Sequence, residues 1–174
     1  MTTQTEHFTN IWSKRIETAT NLAILCAFVL VAVLAAKSLY EPSRGYSSGP
    51  QVGSSVSLPG VDWSKSDRNL VLALSEQCHF CTDSAGFYRR LVPAAATARV
   101  PVVAVLPQPA SEGRSYLEKL NVHGTKVVAS PLSAVDASGT PTILLVDRKG
   151  KIRRAWVGKL NVEEQGQVTS ALYR

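Results

Sequence analysis

Two cysteines with two residues between them form the segment of this sequence that most plainly indicates chemistry, Cys78-His79-Phe80-Cys81. The segment follows residues 70–74, a continuous apolar run that predicts a buried strand. A cysteine between a strand and the next helix lies near free backbone N–H groups, which stabilise a thiolate and lower the thiol pKa. We therefore expect Cys78 to be the exposed nucleophile. Cys81 follows one helical turn later, close enough to close a disulfide, and is expected to be the more sheltered resolving thiol.

The residues inside and beside the cysteine pair are expected to tune its redox chemistry. Protonated His79 would favour the thiolate of Cys78, whereas Glu76 would oppose it. Phe80, the other residue between the cysteines, is also expected to tune the redox chemistry of the pair.

Two other uses of the cysteine pair receive less support. A structural disulfide that closes so short a loop would contribute little chain-entropy stabilisation. A zinc site needs four ligands, but the domain offers only the two thiols together with His79 and His123. We therefore expect neither a metal ion nor another cofactor.

The pattern of apolar residues predicts the elements that position the pair. Three continuous apolar runs are typical of strands buried on both faces, in a sheet with helices on both sides. They are residues 70–74, 100–106 and 142–146. A helix is predicted over residues 79–97, between the first two runs, and Pro93 is expected to kink or end it. A strand–helix–strand unit of this length predicts a right-handed parallel crossover.

The second half of the domain is predicted to contain an antiparallel pair of strands. Ser111 is expected to cap a second helix. Residues 147–150 predict a hairpin turn that joins strand 142–146 to strand 152–157. Asn161 is expected to cap a final helix. The predicted order is β-α-β-α-(short β)-β-β-α, which is an α/β architecture.

Composition divides the chain into four zones. Residues 1–17 are predicted to be a cytoplasmic tail, 18–36 a transmembrane anchor, 37–56 a flexible Gly/Ser/Pro-rich linker, and 57–174 the folded domain. The anchor zone carries no charge over 19 residues, and as a helix it would span about 28 Å, close to the hydrocarbon thickness of a bilayer. A cleaved leader is the alternative interpretation of this segment.

Charge does not decide how the predicted anchor is oriented, because positive residues flank it on both sides. The linker and the domain that follow the predicted anchor favour an N-terminus on the cytoplasmic side of the membrane. We therefore expect a single-pass protein of a bacterial inner membrane with its domain in the periplasm. The net charge is +6, and the basic run at residues 148–154 has no interleaved aromatic residues, so a nucleic-acid partner is not expected.

Two segments of the domain resemble the thioredoxin superfamily, and in particular its membrane-anchored, extracytoplasmic TlpA-like branch. One is residues 70–81, a strand that leads into the cysteine pair, and the other begins with the motif GTPT, which contains Thr140 and Pro141. The resemblance covers about residues 57–172 and implies a central mixed β-sheet flanked by helices. It also implies a cis Thr140–Pro141 peptide against the active-site disulfide, where these two residues would bind an extended substrate chain.

Three features depart from the pattern of that family. Gln77 replaces the tryptophan that usually precedes the first cysteine, and Phe80 stands where a proline is common. The stretch 106–139 is longer than a minimal thioredoxin needs. These departures concern the redox potential and the partner more than the chemistry.

The resemblance implies an enzyme that exchanges disulfides with protein clients. It favours a reductant that receives electrons from a partner in the membrane, although an oxidant remains open. A copper-delivery protein would use a longer CxxxC loop and a distal histidine such as His123. A peroxiredoxin would need a proline and a threonine where Val71 and Ser75 stand. A non-catalytic adaptor domain is the remaining alternative, and the intact cysteine pair argues against it.

Overall fold

The computed structural model describes residues 24–27, 29–31, 33 and 49–174. The described residues before position 34 are helical, and their side chains are exposed. Within this described part of the chain, no helix has both the length and the apolar character needed to cross a bilayer. The predicted tail 1–17 and the greater part of the predicted anchor 18–36 lie outside the described residues, so the anchor stays a prediction.

Residues 49–174 fold around a five-stranded mixed sheet with the strand order β3-β2-β1-β4-β5. The strands are β1 (Arg68–Ala73), β2 (Val102–Leu106), β3 (Lys126–Ala129), β4 (Thr142–Asp147) and β5 (Ile152–Val157). β1, β2 and β3 are parallel, whereas β4 is antiparallel to both β1 and β5. The predicted strand runs and the predicted hairpin are therefore confirmed.

The two faces of the sheet are covered by different kinds of structure. The helices are α1 (His79–Asp83), α2 (Ala85–Thr97), α3 (Ala110–Lys119) and α4 (Val162–Ala171). Buried side chains of α2, α3 and α4 join one apolar cluster with Leu70, Leu72 and Ile143 of the sheet. The opposite face packs against the segment around Trp63 and the short 3₁₀ helix Leu132–Val135. β1, β2 and β4 are buried on both faces as expected. The expectation of α-helices on both faces of the sheet is wrong.

Residues 49–56, which the composition assigns to the linker, pack onto the domain in this structure. The amide of Gly53 donates to the carbonyl of Ile152 at 2.8 Å, and the amide of Val56 donates to the carbonyl of Gly150 at 2.7 Å. The side chain of Val56 is 3% exposed. The backbone bonds outweigh the low apolar content of the segment because they satisfy amides that would otherwise need water.

The helix predicted over residues 79–97 is interrupted at Ser84, which separates α1 from α2. The hydroxyl of Ser84 donates to the carbonyl of Phe80 at 2.7 Å, a local bond that competes with regular helix geometry. Pro93 lies inside α2, so of the two expected effects, a kink or an end, the end is not observed. Pro93 and Arg89, whose carbonyl loses its helical N–H partner to the proline ring, both lie on an exposed side of the helix.

The two predicted helix caps have different outcomes. Ser111 is not a cap, because α3 begins at Ala110 with Pro109 in the capping position. Asn161 caps α4 as predicted, and its side chain accepts from the amide of Glu164 at 2.9 Å. The side chain of Glu164 in turn accepts from the amide of Asn161, which completes a capping box.

Candidate active site

The cysteine pair lies where the buried strand β1 gives way to helix α1. After β1 the chain turns, and the amide of Cys78 donates to the carbonyl of Ser75 at 3.1 Å. Cys78 is the N-cap residue of α1, and its Sγ accepts a hydrogen bond from the amide of Cys81 at 3.3 Å. A sulfur in this position faces the unpaired N–H groups of the first helical turn, which favour a negative charge. The predicted strand–helix placement of the pair is confirmed.

The two thiols differ in exposure and in acidity. Both cysteines are free thiols here; Cys78 is half-buried, and Cys81 is fully buried. Burial acts to raise the pKa of Cys78, but hydrogen bonds from the side chains of Cys81 and Thr140 and from two backbone amides outweigh it and lower the pKa. Burial raises the pKa of Cys81 to about 12, and its hydrogen bond to Cys78 adds to the effect. Cys78 is therefore the thiol that ionises first and that a client can reach.

The segment with Thr140 and Pro141 lies against the first cysteine. The Thr140–Pro141 peptide is cis, as the resemblance implies. The thiol of Cys78 donates to the carbonyl oxygen of Thr140 at 3.2 Å, although 62 residues separate them in the sequence. The pairing of Ala73 with Thr142 between β1 and β4 aligns the two segments. The structure thus brings together four of the predicted site residues: Cys78, Cys81, Thr140 and Pro141.

The side chains between the cysteines point outward rather than into the site. The side chain of His79 is 82% exposed, and its Nε2 lies 3.5 Å from a carboxylate oxygen of Asp83. Lys159 reaches the other oxygen of the same carboxylate at 2.8 Å and lowers the pKa of Asp83. Phe80 is 55% exposed beside them. A positive charge on His79 would therefore be balanced by the carboxylate of Asp83. This pairing weakens the expected influence of His79 on the thiolate of Cys78.

Local sequence patterns offer little reason to select Asp83 and Lys159 as residues of the site. Their proximity depends on the loop after β5 returning to the end of α1, which no local pattern encodes. Glu76, expected to oppose the thiolate, pairs with Lys119 of α3 at 3.7 Å. Its charge is thus partly compensated by a residue that sequence spacing does not bring near it.

Two tyrosines, Tyr88 of α2 and Tyr116 of α3, lie close to the cysteine pair, and no pattern in the sequence marks them as part of the site. Tyr88 is fully buried, and its hydroxyl has no hydrogen-bond partner among the residues that the structure describes. Burial raises its pKa, and the charge of Cys81 raises it further. The hydroxyl of Tyr116 lies 3.3 Å from that of Thr82, just after the second cysteine. Both phenols therefore stay protonated under conditions in which Cys78 reacts.

The geometry does not favour a metal site at the cysteine pair. Within the described residues, no group of three histidine, cysteine or acidic side chains is placed to hold a metal ion. His123 lies just before β3, which is parallel to β2, and β2 is parallel to β1. Because Cys78 follows the end of β1, His123 belongs to the opposite end of the sheet. It cannot serve as the distal ligand that copper delivery would require.

Several solved structures share the architecture of this chain. A thiol:disulfide interchange protein from Bacteroides sp. superimposes with a TM-score of 0.56 at 18% identity, covering 71% of this chain and 91% of that chain. A protein from Chlorobium tepidum whose name assigns it to the thiol:disulfide interchange proteins (DsbE) superimposes with a TM-score of 0.55 at 20% identity. The match covers 71% of this chain and 99% of that chain. The thioredoxin domain of a thiol-disulfide oxidoreductase from Bacteroides vulgatus superimposes with a TM-score of 0.51 at 16% identity. The match covers 73% of this chain and 99% of that chain.

The chain has a thioredoxin-like fold. No protein-family model and no curated protein matches the sequence. The thioredoxin-like fold with a mixed central sheet, expected from the resemblance, is therefore confirmed by structure, and the likeness at these identities establishes the fold alone. Within that fold, the strand–helix junction carries the cysteine pair, and β4 places the Thr140–Pro141 segment opposite it.

The unequal acidity of the two thiols predicts a selective alkylation profile. In a Cys26→Ser background that leaves only the pair, iodoacetamide should modify Cys78 with a midpoint below the usual cysteine pKa of about 8.5. Cys81 should stay unmodified while the chain is folded, because its pKa is near 12. Mass spectrometry of each cysteine-containing peptide across a pH series measures both rates.

The matched control for this profile is Cys81→Ala, which removes the hydrogen bond from Cys81 that lowers the pKa of Cys78. The midpoint for Cys78 should then move towards higher pH. Equal alkylation of both cysteines in the folded chain would contradict the assignment of their roles.

Proposed function

We propose that this chain is a protein thiol–disulfide oxidoreductase whose Cys78–Cys81 pair exchanges disulfides with protein clients. The observation that carries the proposal is the pairing of a reachable, acidified thiol with a buried thiol one helical turn away. Such a pair can form and resolve a mixed disulfide without another catalytic group. The names of the structural neighbours, which refer to thiol:disulfide interchange, agree with this chemistry.

The exchange proceeds in two displacements when the pair starts reduced. The Cys78 thiolate attacks one sulfur of a client disulfide, a new S–S bond forms, and the second client sulfur leaves as a thiolate that takes a proton from water. Cys81 then loses its proton, and its sulfur attacks Sγ of Cys78. The first client sulfur leaves as a thiolate and is protonated. The client gains two electrons as two thiols, and the pair ends as a disulfide.

Client binding is assigned to Thr140 and Pro141, with exposed apolar contacts nearby. The carbonyl of Thr140 already lies at hydrogen-bond distance from Cys78, so a client chain beside this segment would have its cysteine next to the nucleophile. Phe80 and Val157 are both about half exposed, and Val157 pairs with Thr142 directly after the segment. An extended client with an apolar residue near its cysteine fits this surface.

Replacement of each cysteine predicts opposite results in a trapping experiment. Cys81→Ser should accumulate mixed disulfides with client proteins, because the first displacement proceeds and the second cannot. Cys78→Ser should reduce disulfide exchange on a model substrate to background and trap nothing. Each substitution is made in the full chain in a Cys26→Ser background. Non-reducing electrophoresis detects the mixed disulfides, and the rate of reduction of the model substrate measures exchange. Retention of exchange by Cys78→Ser would contradict the assignment of the nucleophile.

We further propose that the pair acts as a reductant that is recharged by an electron donor in the membrane. The resemblance to the TlpA-like branch supports this direction. The reduction potential is measured by thiol trapping of the full chain, in a Cys26→Ser background, in dithiothreitol or glutathione buffers. It should be about −270 mV or lower. A value near about −120 mV would instead make the protein an oxidant that donates its disulfide.

We propose that the domain is extracytoplasmic and that residues 18–36 anchor it with the N-terminus inside. The uncharged apolar segment supports the anchor, and the linker and domain that follow it favour this orientation. A membrane-impermeant maleimide should label Cys78 in intact spheroplasts of cells that express the Cys26→Ser chain. Labelling only after detergent lysis would contradict the orientation, and Cys78→Ser provides the control for other reactive sites.

A further inference from the structure

A cavity of about 480 Å³ lies at the end of the sheet opposite the cysteine pair. It is lined by Asp67, Arg68, Leu145, Asp147, Arg153, Arg154, Ala171 and Arg174. Arg68 begins β1, whose far end leads to Cys78, and Asp147 ends β4, which begins beside Thr140. Five steps along β1 separate the two ends of the sheet by about 17 Å. The cavity is therefore distinct from the site proposed for disulfide exchange.

A β-bulge brings two consecutive arginines into this cavity. β4 and β5 pair Leu145 with Arg154 and then Val146 with Ile152, so Arg153 is an extra residue without a partner across the strands. In a regular strand two neighbouring side chains point to opposite faces, whereas the bulge allows Arg153 and Arg154 both to line the cavity. The bulge thus concentrates positive charge at one place rather than dividing it between two faces.

The carboxylates of the cavity are already engaged. Asp147 accepts the amides of Lys149 at 2.8 Å and Lys151 at 2.9 Å, and pairs with Arg153 at 3.4 Å. Asp67 pairs with Arg148, which lies outside the lining, at 3.0 Å. Both carboxylates therefore have partners other than Arg68, Arg154 and Arg174.

The remaining arginines of the cavity differ in how far their guanidinium groups are engaged. Arg68 donates to the main-chain oxygen of Arg174 at 2.6 Å, a bond that leaves most of its donors unused. For the side chains of Arg154 and Arg174, the described part of the chain offers no ion pair or hydrogen-bond partner. Planar guanidinium groups that converge on one space match the several oxygens of a phosphate group better than they match one carboxylate.

We propose that this cavity binds a phosphate group, either as a free phosphate or phosphomonoester or as the headgroup of a phospholipid. Arg68, Arg154 and Arg174 would supply the hydrogen bonds, and Arg153 would be held beside them by Asp147. The volume exceeds that of the phosphate alone and leaves room for the body to which it is attached. This site does not depend on the proposed disulfide exchange, since no cavity residue contacts the cysteine pair.

The test is a titration of the full chain, followed by isothermal calorimetry at an ionic strength of about 0.1 M, with two probes, inorganic phosphate and water-soluble dihexanoyl phosphatidic acid. Both probes should bind, and Arg154→Gln should weaken binding by about tenfold or more because a charge-assisted hydrogen bond is lost. Comparable affinity for the two probes would assign the site to free phosphate or a phosphomonoester. Binding of the lipid at least tenfold tighter than that of phosphate would assign it to a phospholipid headgroup.

The matched control is Arg89→Gln, which removes one exposed positive charge from α2, outside the cavity. It should leave the affinity within about twofold of that of the unchanged chain, since screening weakens charges beyond roughly 10 Å. Circular dichroism checks that Arg154→Gln is folded, and Arg174→Gln serves as a second variant because that side chain is also exposed. Absence of binding, or equal weakening by Arg89→Gln and Arg154→Gln, would overturn the proposal. Disulfide exchange by Arg154→Gln should be unchanged, which separates this test from that of the proposed function.

Discussion

The antiparallel pairing of β1 with β4 is the constraint on which the candidate site depends. β1 alone places a cysteine pair at the start of a helix, where one thiol meets free amides. Only the alignment of Ala73 with Thr142 brings the carbonyl of Thr140 to 3.2 Å from Cys78. Both strands are buried on both faces, so a shift in register would place side chains of the wrong size and shape in a close-packed core on both sides. The free energy of the core therefore fixes the geometry of the site.

Much of this arrangement could be predicted from the sequence because it follows from local patterns. Continuous apolar runs identify strands buried on both faces, and the cysteine spacing identifies the helix start. The features that could not be predicted do not follow from the pattern of apolar residues. The break at Ser84 arises from a side-chain bond to Phe80, and Pro93 is tolerated because its side of α2 faces water. Residues 49–56 join the domain through backbone bonds to β5, which composition does not reveal.

The two ends of the sheet have different electrostatic character, and the strand pairing explains why. At the end with the cysteines, charged residues are paired with one another on the surface, as Asp83 is with Lys159. At the other end, one carboxylate oxygen of Asp147 accepts two amides of the hairpin turn, and its other oxygen pairs with Arg153. Among the described residues, Arg154 has no such ion pair, so positive charge remains at this end of the sheet. The same basic run showed no sign of a binding site when considered as a linear segment, because the bulge that gathers Arg153 and Arg154 is visible only in the pairing of β4 with β5.

The acidity of the two thiols also determines the order of events in the exchange. Burial is the largest cause of the raised pKa of Cys81, and the hydrogen bond and the charge of Cys78 raise it further. When Cys78 forms a mixed disulfide, its sulfur no longer carries a negative charge. The electrostatic contribution to the pKa of Cys81 then disappears, although the contribution of burial remains. Cys81 consequently becomes easier to ionise only after a client is attached. The buried thiol therefore stays protonated until the mixed disulfide that it attacks has formed.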